Sequence, residues 1–179
     1  MAGRLHIPRL AKPVAAVMAR DEPLIAGAVA RLEKMLGPAD CLSELYRFNF
    51  TDYYRAEMGE TLLKRFASFS RLIRPGELVK IKRRTAACER KYRDERGGRL
   101  VNLDPGYWSD AKLVLASTKN YSHRVCLGRR VFAELCLRCH QGRLQPFDWT
   151  YPDYRTELAL EFFEGVRKKY LKQLGELQS

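Results

Sequence analysis

The sequence predicts an α+β fold: one domain in which a mixed, largely antiparallel sheet is packed by helices. Three observations predict it. Residues 12–50 read strand, helix, strand, an opening β-α-β unit. Residues 121–147 read as alternating strands joined by tight turns. The chain then ends in a long amphipathic helix.

Taken in order, 12–19 (Lys-Pro-Val-Ala-Ala-Val-Met-Ala) is a short apolar run of buried-strand type. Asp21 is a natural N-cap and Pro23 suits a first helical turn. Leu24, Ile25, Ala28, Val29, Leu32 and Leu36 follow at helical spacing, and Gly37-Pro38 ends the helix. Residues 41–50 alternate as a second strand, and 60–69 reads as a short helix. Residues 75–96 form the main basic helix, with Leu78, Ile81, Thr85, Cys88 and Tyr92 facing inward. Residues 99–103 lead into Asp104-Pro105-Gly106, which predicts a sharp turn because proline fixes φ and glycine accepts φ > 0. Residues 109–117 are expected to form a short buried helix capped by Ser109. Gly128-Arg129-Arg130 joins two alternating runs in hairpin fashion, and Gly142 makes a second turn. From Pro152 onward, Leu158, Phe162, Val166, Tyr170, Leu174 and Leu177 place one apolar face on the sheet.

With 179 residues and 46% hydrophobic content, the chain is long enough for one well-buried core. Residues 1–11 form a basic tail and 12–179 the domain. No run of about 18 apolar residues occurs, so no membrane span is expected, and a cytoplasmic location follows by default. The odd count of five cysteines suits reduced thiols. The formal net charge is +12, and 64–99 alone holds thirteen Lys and Arg against four Asp and Glu. Such a field favours anionic partners.

Several signatures are absent. There is no phosphate-binding G-x-x-x-x-G-K-[ST], no G-x-G-x-x-G, no G-x-S-x-G elbow and no H-E-x-x-H. Thr118-Lys119-Asn120 does not complete the guanine-reading Asn-Lys-x-Asp. Cys136-Leu137-Arg138-Cys139-His140 matches the C-x-x-C-H of haem attachment. It lies in a predicted strand, where residues i and i+3 point to opposite faces, so no haem is expected. A zinc site from His123, Cys126, Cys136 and Cys139 is disfavoured because the C-x-x-C half lacks a tight turn.

A constellation of polar and aromatic residues remains: Asp52, Tyr53 and Tyr54; Asn102, Asp104, Gly106 and Tyr107; Lys112; Thr118, Lys119, His123 and Arg124; and Trp149, Tyr151, Asp153, Tyr154 and Arg155. Carboxylates, imidazole and cations of this kind can move protons or hold phosphate. Aromatics beside arginine can stack a base.

Four segments then carry a resemblance: Phe48-Asn49-Phe50-Thr51-Asp52-Tyr53-Tyr54 with Glu57-Met58-Gly59, Val101-Asn102-Leu103-Asp104-Pro105-Gly106-Tyr107, Lys112 through Lys119 with His123-Arg124, and Trp149-Thr150-Tyr151-Pro152-Asp153-Tyr154-Arg155. In these the chain resembles an uncharacterised bacterial family, domain of unknown function 4416, from about Lys12 to the C-terminal helix. The resemblance implies a shared site at these segments, and its members often carry the label "GTP-binding protein". Cys136, Cys139 and His140 depart from the family pattern, in which strand residues such as tyrosine are typical.

The expected function is binding of an anionic small ligand, a nucleotide or phosphorylated metabolite, in a cleft of these segments. If chemistry occurs there, Asp104, Asp52 or His123 are the acid–base candidates, and Lys112, Lys119, Arg124 and Arg155 would hold negative charge. The alternatives are an RNA- or DNA-binding module using Arg83, Arg84, Lys91 and Arg93 of the basic helix, and a ligand-free partner-binding scaffold. The ligand's identity and the oligomeric state are not legible in the sequence.

Overall fold

A computed structural model of the chain describes residues 7–177. Part of the predicted basic tail, 1–6, lies outside the described residues. The element order is β1 (Lys12–Ala19), α1 (Glu22–Leu36), β2 (Ala39–Leu42), β3 (Tyr46–Arg47), α2 (Arg55–Met58), β4 (Leu63–Phe69), α3 (Leu78–Glu89), β5 (Val101–Ser109), β6 (Lys112–Ser117), β7 (Val125–Gly128), β8 (Val131–His140), β9 (Arg143–Pro146) and α4 (Glu157–Glu176). Short 3-10 turns precede α3 and α4.

All strands join one antiparallel sheet in the order β2-β4-β1-β5-β6-β8-β7, with β3 added to β4 and β9 to β8. The predicted β-α-β opening is present in split form, because β4 is inserted between β1 and β2. With α3 and β5 it completes the β-α-β-β-α-β connectivity of ferredoxin-like folds, and β6 to β9 extend that sheet beyond β5.

Alternation along β1 sends its two faces to two separate cores. Ala15, Val17 and Ala19 meet α1, α3, Ala67, Phe69, Val101 and Leu103. Val14 and Ala16 meet Phe66, Trp108, Leu113, Leu115 and the α4 residues Phe162, Phe163, Val166 and Tyr170. Helix α1 has its expected cap, with Asp21 accepting from the Leu24 N–H at 2.9 Å and Gly37 closing it at φ 86°. In α4 the predicted stripe is buried at Phe162, Val166 and Tyr170, while Leu177 is 64% exposed at its end.

Five expectations are corrected. Residues 60–69 are not a helix. Leu63–Phe69 is a strand paired with both β1 and β2, and that pairing overrides a local preference for helix. Asp104-Pro105-Gly106 makes no turn, because β5 runs straight through it, paired with β1 from Val101↔Ala19 to Trp108↔Lys12. The apolar row after Ser109 is not a helix but a strand buried on both faces, with Leu113 and Leu115 toward α4 and Val114 and Ala116 toward α3. The basic helix ends at Glu89 rather than 96, because Asp94 accepts from the N–H groups of Arg96 and Gly98 and starts a turn. The predicted strand over 41–50 is shorter and divided into β2 and β3, with the Ser43 hydroxyl accepting from the Phe66 N–H where the two separate.

Candidate functional site

The cleft begins with a fork in the sheet. Strands β5 and β6 pair only from Ser109↔Lys112 to Gly106↔Leu115. Beyond that point β5 stays with β1, and β6 stays with β8. Pro105 has no N–H to extend a ladder, and it stands where the pairing ends. Gly106 is needed just before the fork, since a Cβ there would sit 2.3 Å from the Val114 carbonyl oxygen. Its role is close strand approach, not a turn.

The opening continues as two adjoining lobes of about 260 and 290 Å³. Tyr53, Tyr54, Asp104, Ser117, Lys119 and Tyr151 line both lobes. Phe48, Phe50, Lys64, Glu134, Asp153 and Tyr154 complete the inner lobe, and Lys82, Glu89, Arg99 and Asn102 the outer one. The 48–54 wall is held by ring contacts of Phe48 with Phe50 and Tyr54 and by packing on Met18, Met58 and Leu62. The opposite wall, 150–155, is stapled by Arg155, whose guanidinium donates to the carbonyls of Phe147, Asp148 and Thr150. Thr150 in turn donates to the Cys136 carbonyl at 2.5 Å.

Charge in the cleft is closely matched. Lys64 Nζ lies 2.6 Å from Asp153 Oδ2, both side chains buried, under the rings of Phe48, Phe66 and Tyr154. Tyr46 also donates to Asp153. Lys82 reaches through the fork from α3 to donate to the Leu103 carbonyl at 2.9 Å and to Asp104 at 3.4 Å. Arg99 grips Glu57 with two bonds of 2.8 and 2.6 Å and donates to Asn102. Buried Arg124 donates to Glu134 at 2.8 Å, to Ser117, to the Lys119 carbonyl, and to Tyr151 at 2.5 Å. His123 Nε2 lies 2.8 Å from the same Glu134 oxygen. Lys119 is the exception. Its Nζ sits 3.7 Å from the Tyr53 ring centre, with no carboxylate partner among the described residues.

These contacts set protonation. Burial alone would raise the Asp104 pKa, but the Lys82 and Lys64 ammoniums and the Asn102 amide hold it below the usual carboxylate range. Burial, with help from Glu134, pushes Tyr151 up to about 12, opposed by Arg124. Tyr54 is raised chiefly by burial and next by Asp104. At neutral pH the lining therefore presents an ionised acceptor at Asp104 and phenol donors at Tyr54 and Tyr151. The Tyr54 hydroxyl makes no hydrogen bond within the protein among the described residues.

Of the predicted site residues, Tyr53, Tyr54, Asn102, Asp104, Thr118, Lys119, Tyr151, Asp153 and Tyr154 meet at the cleft. His123 and Arg124 stand behind it through Glu134. Others do not meet there. Asp52 is an exposed partner of Arg55 outside both lobes. Tyr107 and Lys112 line a separate hollow with Val114 and Trp149, and Trp149 stacks on His123 there. Lys112 is therefore not placed to hold a charge in the cleft, and Arg155 is spent on backbone carbonyls. Sequence reasoning missed Lys64, Lys82, Arg99, Ser117 and Glu134. A signal existed for Lys64 in its register with Met18 on a central strand, but only once the strand itself is recognised.

A family model described as "Domain of unknown function (DUF4416)" matches residues 9–170. The chain belongs to this family. No curated protein and no solved structure matches it. The four segments that carry the family resemblance supply most of the cleft walls. The C-x-x-C-H stretch lies away from it on β8, with Cys136 buried under α4. Among the described residues no group of three or more His, Cys, Asp or Glu is placed to hold a metal ion. None of their helices is long and apolar enough to cross a membrane.

Proposed function

We propose that the cleft binds an anionic small molecule with a flat, hydrogen-bonding ring, of the nucleotide or phosphorylated-metabolite class. The observation that carries this reading is Lys119, a cation without a carboxylate partner set on the aromatic wall of a cleft whose other lysines and arginines are matched. An anionic group would complete its pairing. The rings of Tyr53, Tyr54 and Tyr151 offer stacking surface, and Asp104 offers an ionised acceptor to ring N–H or sugar hydroxyl groups. Among the acid–base candidates, Asp104 alone lines the cleft. Held ionised, it suits a base or an acceptor rather than an acid.

The test is thermal unfolding against nucleoside mono-, di- and triphosphates and sugar phosphates. A ligand at about 100 times its Kd should stabilise by roughly 2.7 kcal/mol, a clear rise in Tm. No rise with any phosphorylated compound would sink this reading.

A further inference from the structure

We infer that the groove between α3 and the β7–β8 hairpin is a docking surface for the phosphodiester backbone of single-stranded nucleic acid. The inference concerns phosphate contacts in the groove and stands whether or not the cleft takes a small ligand.

The groove has a volume of about 930 Å³. Lys80, Arg83 and Arg84 line it from α3, Arg90 from the residue that caps that helix, and Arg129 and Arg130 from the hairpin turn, with no Asp or Glu in its lining. All six are exposed, and none makes an ion pair or side-chain hydrogen bond among the described residues. Two separate elements thus bring like charges to one trough, where they repel one another until an anion enters. Five of the six are arginines, whose planar fork bonds phosphate oxygens in pairs. Of the helix residues singled out in the sequence, Arg83 and Arg84 lie here, while Lys91 and Arg93 fall after the end of α3 and outside the lining.

The turn supplies the groove's second cationic element. Arg129 and Arg130 have φ of 52° and 62°, both left-handed, as a two-residue type I′ hairpin requires. Asn-Gly fills such turns with least strain. Two arginines there carry a local backbone cost, as Asp110 and Gln141 do in the other tight hairpins at φ 48° and 50°, and the turn sets both guanidinium groups at the trough. The shape selects among anions. A membrane surface is flat and rewards inserted apolar side chains, whereas this surface is a trough. The trough meets the cleft's outer lobe at Lys82, Ala86 and Thr118. A strand leaving it would bring unpaired bases to Tyr53 and Tyr54, which a duplex, with its bases stacked inside, would not do.

The test is fluorescence anisotropy with a short labelled single-stranded RNA, the same sequence as a duplex, and vesicles containing phosphatidylserine. Contact with about five phosphates predicts a slope near −3.5 for log K against log salt, a roughly hundredfold loss between about 50 and 200 mM. Arg83→Gln with Arg84→Gln should lower the slope by about 1.4. Arg129→Asn with Arg130→Gly relieves the turn, so it should melt at or above the wild-type temperature and yet bind RNA at least severalfold more weakly. Wild-type RNA affinity in that relaxed variant would overturn the inference. So would a flat salt slope, tighter binding to the duplex, or binding to vesicles alone.

Discussion

The cleft and the groove lie side by side and share Lys82, Ala86 and Thr118, yet they treat charge in opposite ways. In the cleft Lys64, Lys82, Arg99 and Arg124 each have a carboxylate partner, and Lys119 alone does not. In the groove no cation of the exposed α3 and hairpin set has one. Paired, partly buried charges fix side-chain positions and leave little net field, which favours recognition of one shape. Unpaired exposed charges create a field that salt screens and that reads any closely spaced anion. A +12 chain thus carries a cleft of mostly matched charge and a groove of unmatched cations on either side of one fork in its sheet.

The comparison can be broken at its buried end. Lys64→Ala leaves Asp153 without its ammonium, and breaking such a pair costs about 3–5 kcal/mol. Urea unfolding at neutral pH should show this loss, whereas Arg84→Ala in the groove should stay within about 0.5 kcal/mol. Equal effects would mean that the two sets of charges are not built differently.

The fork itself is the next target. Gly106→Ala forces a methyl against the Val114 carbonyl, and overpacking of this kind costs about 1–3 kcal/mol or more. The same unfolding measurement should find it far more harmful than Gly76→Ala on the groove wall, where a Cβ meets nothing.

A smaller effect lies in pH. Asp104 is held below the usual carboxylate value, so its ionised form contributes stability above about pH 4 that is lost as pH falls through its lowered pKa. Glu89, raised chiefly by burial, works in the opposite direction in both wild type and variant. The stability gap between wild type and Asp104→Asn should accordingly be open at pH 7 and shrink below about pH 4. A constant gap would detach Asp104 from the two ammoniums.

Much of the frame was legible in the sequence because its signals are local. Asp21 and Gly37 cap α1, the alternation around Gly128 marks the β7–β8 hairpin, and the Phe162, Val166, Tyr170 stripe marks α4. The middle of the chain was misread because there the deciding contacts are distant in sequence. Asp104-Pro105-Gly106 carries strong turn chemistry, but eight consecutive residues of β1 pair along β5 and keep it straight. Lys64 and Glu134 were missed for a related reason. Each looks like a surface charge until its strand is placed in the sheet and its side chain falls between the walls of the cleft. Tyr53, Tyr54, Asp104, Lys119 and Tyr151 were found by residue type, since phenols, a carboxylate and a lysine in short irregular segments resemble a site before any fold is known. Lys112 and Arg155 were grouped with them by type alone, and the fold separates them.

The most direct measurement is calorimetric titration of the wild-type protein, Lys119→Gln, and the Arg83→Gln/Arg84→Gln pair with whichever nucleotide raises Tm most. Lys119→Gln should weaken binding about tenfold or more, since a hydrogen bond to a charged group contributes about 1.5–3 kcal/mol. The groove pair should leave the affinity unchanged. Full affinity in Lys119→Gln together with loss in the groove pair would contradict this and place the ligand outside the cleft.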